Sequence, residues 1–362
     1  MVNIERDEKM GKLRKLRNEL EKHGLDALLI TSPINRRYMT GFTGTAGAAI
    51  ISGNKARFIT DFRYTKQAED QAKEFDVIEH KQSIEKEIKV QLKDMNIKRL
   101  AFEKNQVTYA TYELYKDAFD VELIPTSDII ESLRMIKSSE ELKIMKKAAE
   151  IADAAYEHIR SYIKPGVKEI DVSNELEFFM RRQGATSSSF DTIVASGYRS
   201  ALPHGVASTK EIQDGELVTL DYGALYEGYC SDITRTLAVG DISNELKTIY
   251  DTVLQAQLIG IEEIKPGLTG KEADALTRDY ITEKGYGKYF GHSTGHGLGM
   301  EVHEGPGLSY RSDVKLKPNM VVTVEPGIYV PDIGGCRIED DIVITETGNE
   351  RLTHSTKELI QL

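Results

Sequence analysis

Apolar and β-branched residues alternate along Leu217–Thr236, LVTLDYGALYEGYCSDITRT, on either side of Tyr226-Glu227-Gly228. This is the pattern of two antiparallel strands joined by a short turn. A turn centred at Tyr226-Glu227 or at Glu227-Gly228 sets Asp221 opposite Asp232 or a close neighbour, with both carboxylates on one face. Like charges so placed destabilise a strand pair, and burying them uncompensated costs more. The hairpin therefore either leaves two solvated aspartates or holds a cation.

The flanking patterns divide the chain. Leu13, Leu16 and Leu20 space a helix from Met10 to His23, which Gly24 ends. LDALLITS reads as a short buried strand. GFTGTAGAAIISGNKARFITDFRY is glycine-rich first and strand-like after. GFTGTAG lacks the lysine of a P-loop and the dinucleotide spacing, so its glycines are expected to make tight turns rather than a phosphate cradle. IKRLAFE and FDVELIP read as strands, with a helical stretch from Thr108 to Phe119 between them. Residues 1–130 thus alternate helix and strand as a small α/β domain, and residues 131–362 form a second. That second domain is expected to open on a long amphipathic helix. Ser138 to Glu141 is a capping box, the apolar series from Leu142 to Ile163 advances by three or four, and Pro165-Gly166 stops it.

The second domain repeats itself. IKPGVKEIDVSNELEFFMRRQG and IKPGLTGKEADALTRDYITEKG run without a gap at an offset of 101, from 163 and 264 to 184 and 285. LVTLDYG resembles VVTVEPG, which sets Asp221 against Glu325. CSDIT resembles RIEDD loosely, which sets Asp232 against Glu339. A duplicated α–β half facing itself would bring four carboxylates to one pseudo-two-fold axis.

Composition narrows the function classes. The 362 residues suit two domains, and 40% hydrophobic with 29% charged residues is ordinary for a globular protein. A net charge of −11, with no basic run interleaved with aromatics, argues against nucleic acid. The charged N-terminus has no apolar core of a signal peptide, and no apolar run is long enough to span a bilayer. Two cysteines, Cys230 and Cys336, make no disulfide framework, and a cytoplasmic protein with reduced thiols is expected.

Candidate chemistry lies in GHSTGHGLGMEVHEGPG, residues 291–307, where His292, His296 and His303 are three of only eight histidines. With four carboxylates on strands this gives a donor set of O4N type. Four carboxylates balance two divalent cations. Oxygen-rich ligation with one imidazole suits Mn(II), with Zn(II), Co(II) and Fe(II) also compatible.

The set D-x10-D, GHG followed by HE-x-P, T-x-EPG and RIED resembles the pita-bread metallopeptidases. LPHG, STGHGLGMEVHE, TVEPGIY and RIEDD look most like the Xaa-Pro dipeptidases (prolidases) and aminopeptidases P. The resemblance covers nearly the whole chain. It implies an α+β pita-bread (creatinase/aminopeptidase) catalytic domain with internal pseudo-two-fold duplication, preceded by a small α/β creatinase-type domain. It implies that Asp221 holds one metal, that His296 and Glu325 hold the other, and that Asp232 and Glu339 bridge both. His204 and His303 match histidines that contact substrate and stabilise the transition state. His292 and Arg337 match positions lining the site, and Tyr329 is placed to hydrogen-bond near the metals. A metal-bridging hydroxide is then the expected nucleophile, with Glu325 passing a proton to the departing nitrogen.

The implied substrate is an Xaa-Pro dipeptide or short peptide. The implied assembly is a homodimer in which Asp61-Phe62-Arg63-Tyr64 can reach the neighbouring subunit's site, an intrachain role being the other reading. The competing functions are a general or methionine-type metallo-aminopeptidase, a creatinase-type amidinohydrolase, and a non-catalytic pita-bread binding module.

Overall fold

The computed structural model describes residues 11–362, so Met10, the expected first residue of the N-terminal helix, lies outside the described residues. The chain divides into two compact units, up to Arg134 and from Met135 on.

In the first unit, α1 (Lys12–Lys22) buries Leu13, Leu16 and Leu20. A six-stranded sheet follows, built from β1 (Ala27–Ile30), β2 (Ala48–Ser52), β3 (Ala56–Thr60), β4 (Asp76–Glu79), β5 (Arg99–Glu103) and β6 (Glu122–Thr126). Its order is β4-β3-β2-β1-β5-β6, mixed because β1, β2 and β3 are joined antiparallel while β4, β5 and β6 pair in parallel. Helices α2 (Pro33–Thr40), α3 (Thr65–Gln71), α4 (Ile84–Asp94), α5 (Tyr109–Ala118) and α6 (Ile129–Arg134) complete it. Gly41, at φ 74°, ends α2. The carbonyls of Gly44 and Gly47 accept from the Arg36 guanidinium, so GFTGTAG is a turn folded onto an arginine.

The second unit opens on α7 (Ser139–Ile159), whose N-cap Ser138 and Glu141 form the expected capping box. The helix ends four residues before Ile163, which is buried in the same core without being helical. Thereafter two halves run in the same order. Helices α7 and α8 (Glu169–Arg182) lead through β7 (Ser187–Ser188) into β8 (Ile193–Ser196), β9 (Glu216–Tyr222), β10 (Ala224–Tyr226), β11 (Tyr229–Cys230) and β12 (Ile233–Val239). Helices α9 (Asn244–Glu263) and α10 (Gly270–Glu283) lead into β13 (Gly295–Gly297), β14 (Glu304–Leu308), β15 (Val321–Val324), β16 (Gly327–Val330), β17 (Gly334–Arg337) and β18 (Asp340–Ile344), with β19 (Asn349–Arg351) added. Helices α8 and α10 begin and end 101 residues apart, as the gapless repeat requires.

The period-two alternation of the strands separates core from site. On β9, Val218, Leu220 and Tyr222 pack against α7 and α8, which turns Thr219 and Asp221 the other way. On β15 and β18, Val322, Val324, Ile342 and Ile344 share a core with Ala273 of α10, which turns Thr323, Glu325, Glu339 and Asp341 away from it. The two halves meet where the Glu339 N–H donates to the Thr234 carbonyl at 3.1 Å.

Candidate metal centre

The hairpin that carries the two aspartates turns at Glu227-Gly228, both with positive φ (48° and 88°), a type I′ geometry matched to strand twist. Asp221 pairs with Thr234. Asp232 lies two residues from Thr234, on the same face and diagonal to Asp221. The hairpin is also split. β9 and β12 belong to one sheet, β10 and β11 to another. A side chain at Gly223, where the division falls, would collide with the Ser231 carbonyl.

His296 sits on β13 with Nδ1 3.1 Å from the Gly297 carbonyl. A proton held there leaves the Nε2 lone pair free, the tautomer a metal ligand needs. Nε2 lies 3.4 Å from Glu325 Oε1 and 3.7 Å from Asp232 Oδ2. Ligating atoms of Asp232, His296 and Glu339 all lie within 4.8 Å of one another. Glu339 Oε2 accepts from Thr234 Oγ1 at 2.6 Å. Arg337 ion-pairs with Asp221, donates to Thr234 Oγ1 at 3.1 Å and to Tyr329 at 2.7 Å. The Tyr329 hydroxyl in turn meets His292 Nε2 at 2.8 Å.

Asp232, Glu339 and Glu325 are held away from ionisation. Burial, then the charges of Glu339 and Asp221, push Asp232 well above its ordinary range. Burial, then Glu325 and Asp221, do the same to Glu339. Burial lifts Glu325 to about 8, with Arg337 opposing and Asp221 adding to the rise. Burial lowers His296 to about 4. Asp221 Oδ1 and Asp232 Oδ1 are buried without a hydrogen-bond partner among the described residues. Buried carboxylate oxygens left unpaired are costly. Two such oxygens beside a cluster in which Asp232, Glu325 and Glu339 surround one imidazole make a site that divalent cations fit, and the oxygen-rich donor set favours hard or borderline ions.

The centre is the floor of a cavity of about 560 Å³ lined also by His204, His292, His303, Arg337, Phe190 and Val206. His204 and His303 are exposed, and the His303 ring lies 4.3 Å from that of His296. Tyr329, expected near the metals, does not line the cavity. It stands behind His292 and Arg337 and fixes both. Cys230 and Cys336 are buried, form no disulfide and do not line it. Thr234 and Asp341 escaped the sequence reading. Asp341 accepts the Asp232 N–H at 2.9 Å. Thr234 carried a usable signal, the same strand parity as Asp232.

Residues 143–346 match metallopeptidase family M24, and residues 12–136 match the creatinase/prolidase N-terminal domain. The chain belongs to metallopeptidase family M24. Its fold is that family's pita-bread fold, preceded along the chain by a creatinase-type N-terminal domain. Among solved M24-like structures, an Xaa-Pro dipeptidase from Bacillus anthracis is 62% identical, with a TM-score of 0.96 over 97% of this chain and 99% of that one. An X-Pro aminopeptidase from Thermotoga maritima is 41% identical, with a TM-score of 0.90 over 95% of this chain and 100% of that one. The Xaa-Pro dipeptidase of Pyrococcus horikoshii is 43% identical over 96% of this chain and 98% of its own length. Among the described residues of this M24 chain, no helix is long and apolar enough to cross a membrane.

Proposed function

We propose that this M24 peptidase hydrolyses the Xaa-Pro bond of dipeptides or short peptides, with two divalent cations, manganese first among the candidates, held by Asp221, Asp232, His296, Glu325 and Glu339. The observation that carries the reading is the convergence of those five donors on the floor of one cavity whose rim bears His204 and His303. The names of the relatives supply the substrate class. Cations bound there supply Lewis acidity, polarising the scissile carbonyl and acidifying water.

The chain's own residues do the rest. His204 and His303 reach the substrate from the rim and donate to its carbonyl or carboxylate oxygen. The Arg337–Tyr329–His292 chain of hydrogen bonds braces this part of the cavity wall and holds Arg337 against Asp221. A proline leaving group departs as a secondary amine and needs a proton at nitrogen. Glu325 is placed to hold that proton at Oε1. Proline offers no N–H before cleavage, so a site that binds through side-chain donors on the carbonyl side loses nothing with this substrate.

We assign the Asp61–Tyr64 stretch to a homodimer contact. Phe62 is 77% exposed between an aspartate and an arginine that pair with each other. Sedimentation as a fully active monomer at micromolar concentration would remove that assignment.

The test is hydrolysis of Ala-Pro against Ala-Ala and Pro-Ala by metal-loaded protein. Ala-Pro is expected to be cleaved and the other two hardly at all. Equal rates on Ala-Pro and Ala-Ala would leave a general metallo-aminopeptidase. Comparing Ala-Pro with a longer peptide beginning Ala-Pro separates dipeptidase from aminopeptidase.

A further inference from the structure

Glu169, the first residue of α8, has a fully buried side chain and does not line the candidate active-site cavity. Its Oε1 accepts from the Ser196 N–H at 2.8 Å and from Ser196 Oγ at 2.9 Å. Its Oε2 accepts from Arg199 Nε at 2.9 Å, the Ser208 N–H at 3.1 Å and Ser208 Oγ at 2.6 Å. Ser196 ends β8 and Ser208 lies beyond His204, so one carboxylate holds both ends of the segment 197–207. Arg199 extends the hold by donating to the Val206 carbonyl at 2.7 Å. That segment has one short turn of 3-10 helix, Gly197–Ala201. It carries His204 and Val206 into the cavity, and its Pro203 carbonyl accepts from Arg337 at 3.2 Å.

The duplication supplies an internal control. Gly270 stands 101 residues after Glu169, likewise first in its helix. The N–H groups of Glu169 and Ile170 donate to the carbonyls of Lys210 and Ser208 at 3.0 and 2.9 Å. Those of Gly270 and Lys271 donate to the carbonyls of Val314 and Ser312 at 3.0 and 2.8 Å. The backbone thus ties helix to loop in both halves. A side chain at Gly270 would collide with the Gly307 carbonyl and Ser312 Oγ, so no staple is possible there. The buried carboxylate is an addition confined to the half whose loop bears His204. A buried carboxylate is costly unless its oxygens are met by donors, and the five donors here come from both ends of the 197–207 segment and from Arg199 within it.

We infer that Glu169 is a positioning residue, fixing the 197–207 segment so that His204 meets the substrate. The inference rests on the substrate role proposed above for His204. Glu169→Gln keeps the shape but replaces one acceptor oxygen by a donor, which must face either Ser196 or the Arg199–Ser208 side. Turnover of Ala-Pro is expected to fall about tenfold to a hundredfold, with KM changing less and bound metal unchanged. In a His204→Ala background the same substitution is expected to cost less than about twofold, because the group it places is gone. Amide hydrogen exchange is expected to rise within residues 197–207 and not within 305–315.

The same fractional loss in both backgrounds, no loss in the wild-type background, or unchanged exchange overturns the inference. Inactivity on Ala-Pro, or a silent His204→Ala, counts against the proposed function, and the exchange measurement then still decides whether Glu169 holds the segment. If Glu169→Gln does not fold, Ser208→Ala removes one donor and is expected to give the same pattern at smaller scale.

Discussion

Asp232 is placed by a backbone contact that does not touch its unsatisfied Oδ1. Its N–H donates to Asp341, and its strand neighbour Thr234 holds Glu339. Its charge is opposed by burial and by Glu339 and Asp221. Asp232→Asn should therefore abolish metal binding and hydrolysis while leaving the fold intact. At pH 8 the variant should melt above metal-stripped wild type, because a neutral amide neither buries a charge nor has to take up a proton on folding, as the raised carboxyl must. Elemental analysis and a thermal scan check both halves of this, and a lower melting point would mean that the aspartate stabilises the empty site. His303 stands differently, exposed at the rim and beside His296 without sharing its carboxylates. His303→Ala should lower turnover by roughly two to three orders of magnitude, the usual loss for an oxyanion donor, with metal content near wild type. Loss of metal in parallel would make it a ligand.

At the scale of elements, the split hairpin decides where the aspartates stand. Gly223 lets the chain pass from one sheet to the other with its Cα against the Ser231 backbone. Gly223→Ala should cost about 1–3 kcal/mol in denaturant melts and weaken metal binding, since Asp232 directly follows Ser231. Stability unchanged within error would show that the split has slack. How much of this was readable follows from what a linear pattern encodes. The shared face of Asp221 and Asp232 follows from period two with either turn the sequence allows, and the structure selects Glu227-Gly228. The duplicated helices follow from a repeat without insertions. The split does not follow, because the pairing register continues unbroken through both sheets. Nor does the end of α7, since Ile163 stays buried after the helix stops. The family resemblance set Tyr329 near the metals but could not say that His292 and Arg337 stand between it and the cavity. The buried Arg235–Asp340 ion pair, which braces the strand behind Glu339 through the Glu339 carbonyl, has no sequence signature. Its partners are 105 residues apart.

For the whole molecule, the raised carboxyl groups couple metal, pH and folding. Without metal, the folded state holds Glu325 at about 8 against an ordinary 4.5, and Asp232 and Glu339 are raised as well. A carboxyl raised in the folded state favours folding while protonated. Metal-free stability should then decline as pH rises from about 4.5, where the unfolded chain begins to ionise, to about 8, where Glu325 follows. Cations demand the ionised forms, so their binding strengthens over the same interval. The gap between loaded and stripped protein should widen from pH 5 to pH 8, reaching about 2.7 kcal/mol where free metal is a hundredfold above its dissociation constant. The five donors all lie after Met135, in the second unit. The protection gained on loading should therefore appear in hydrogen exchange of residues 135–362 and leave the sheet of the first unit unchanged. Melting curves of loaded and stripped protein that run parallel across that pH range would mean that the carboxyl groups do not release protons to bind metal. The centre would then not be the one these five residues form.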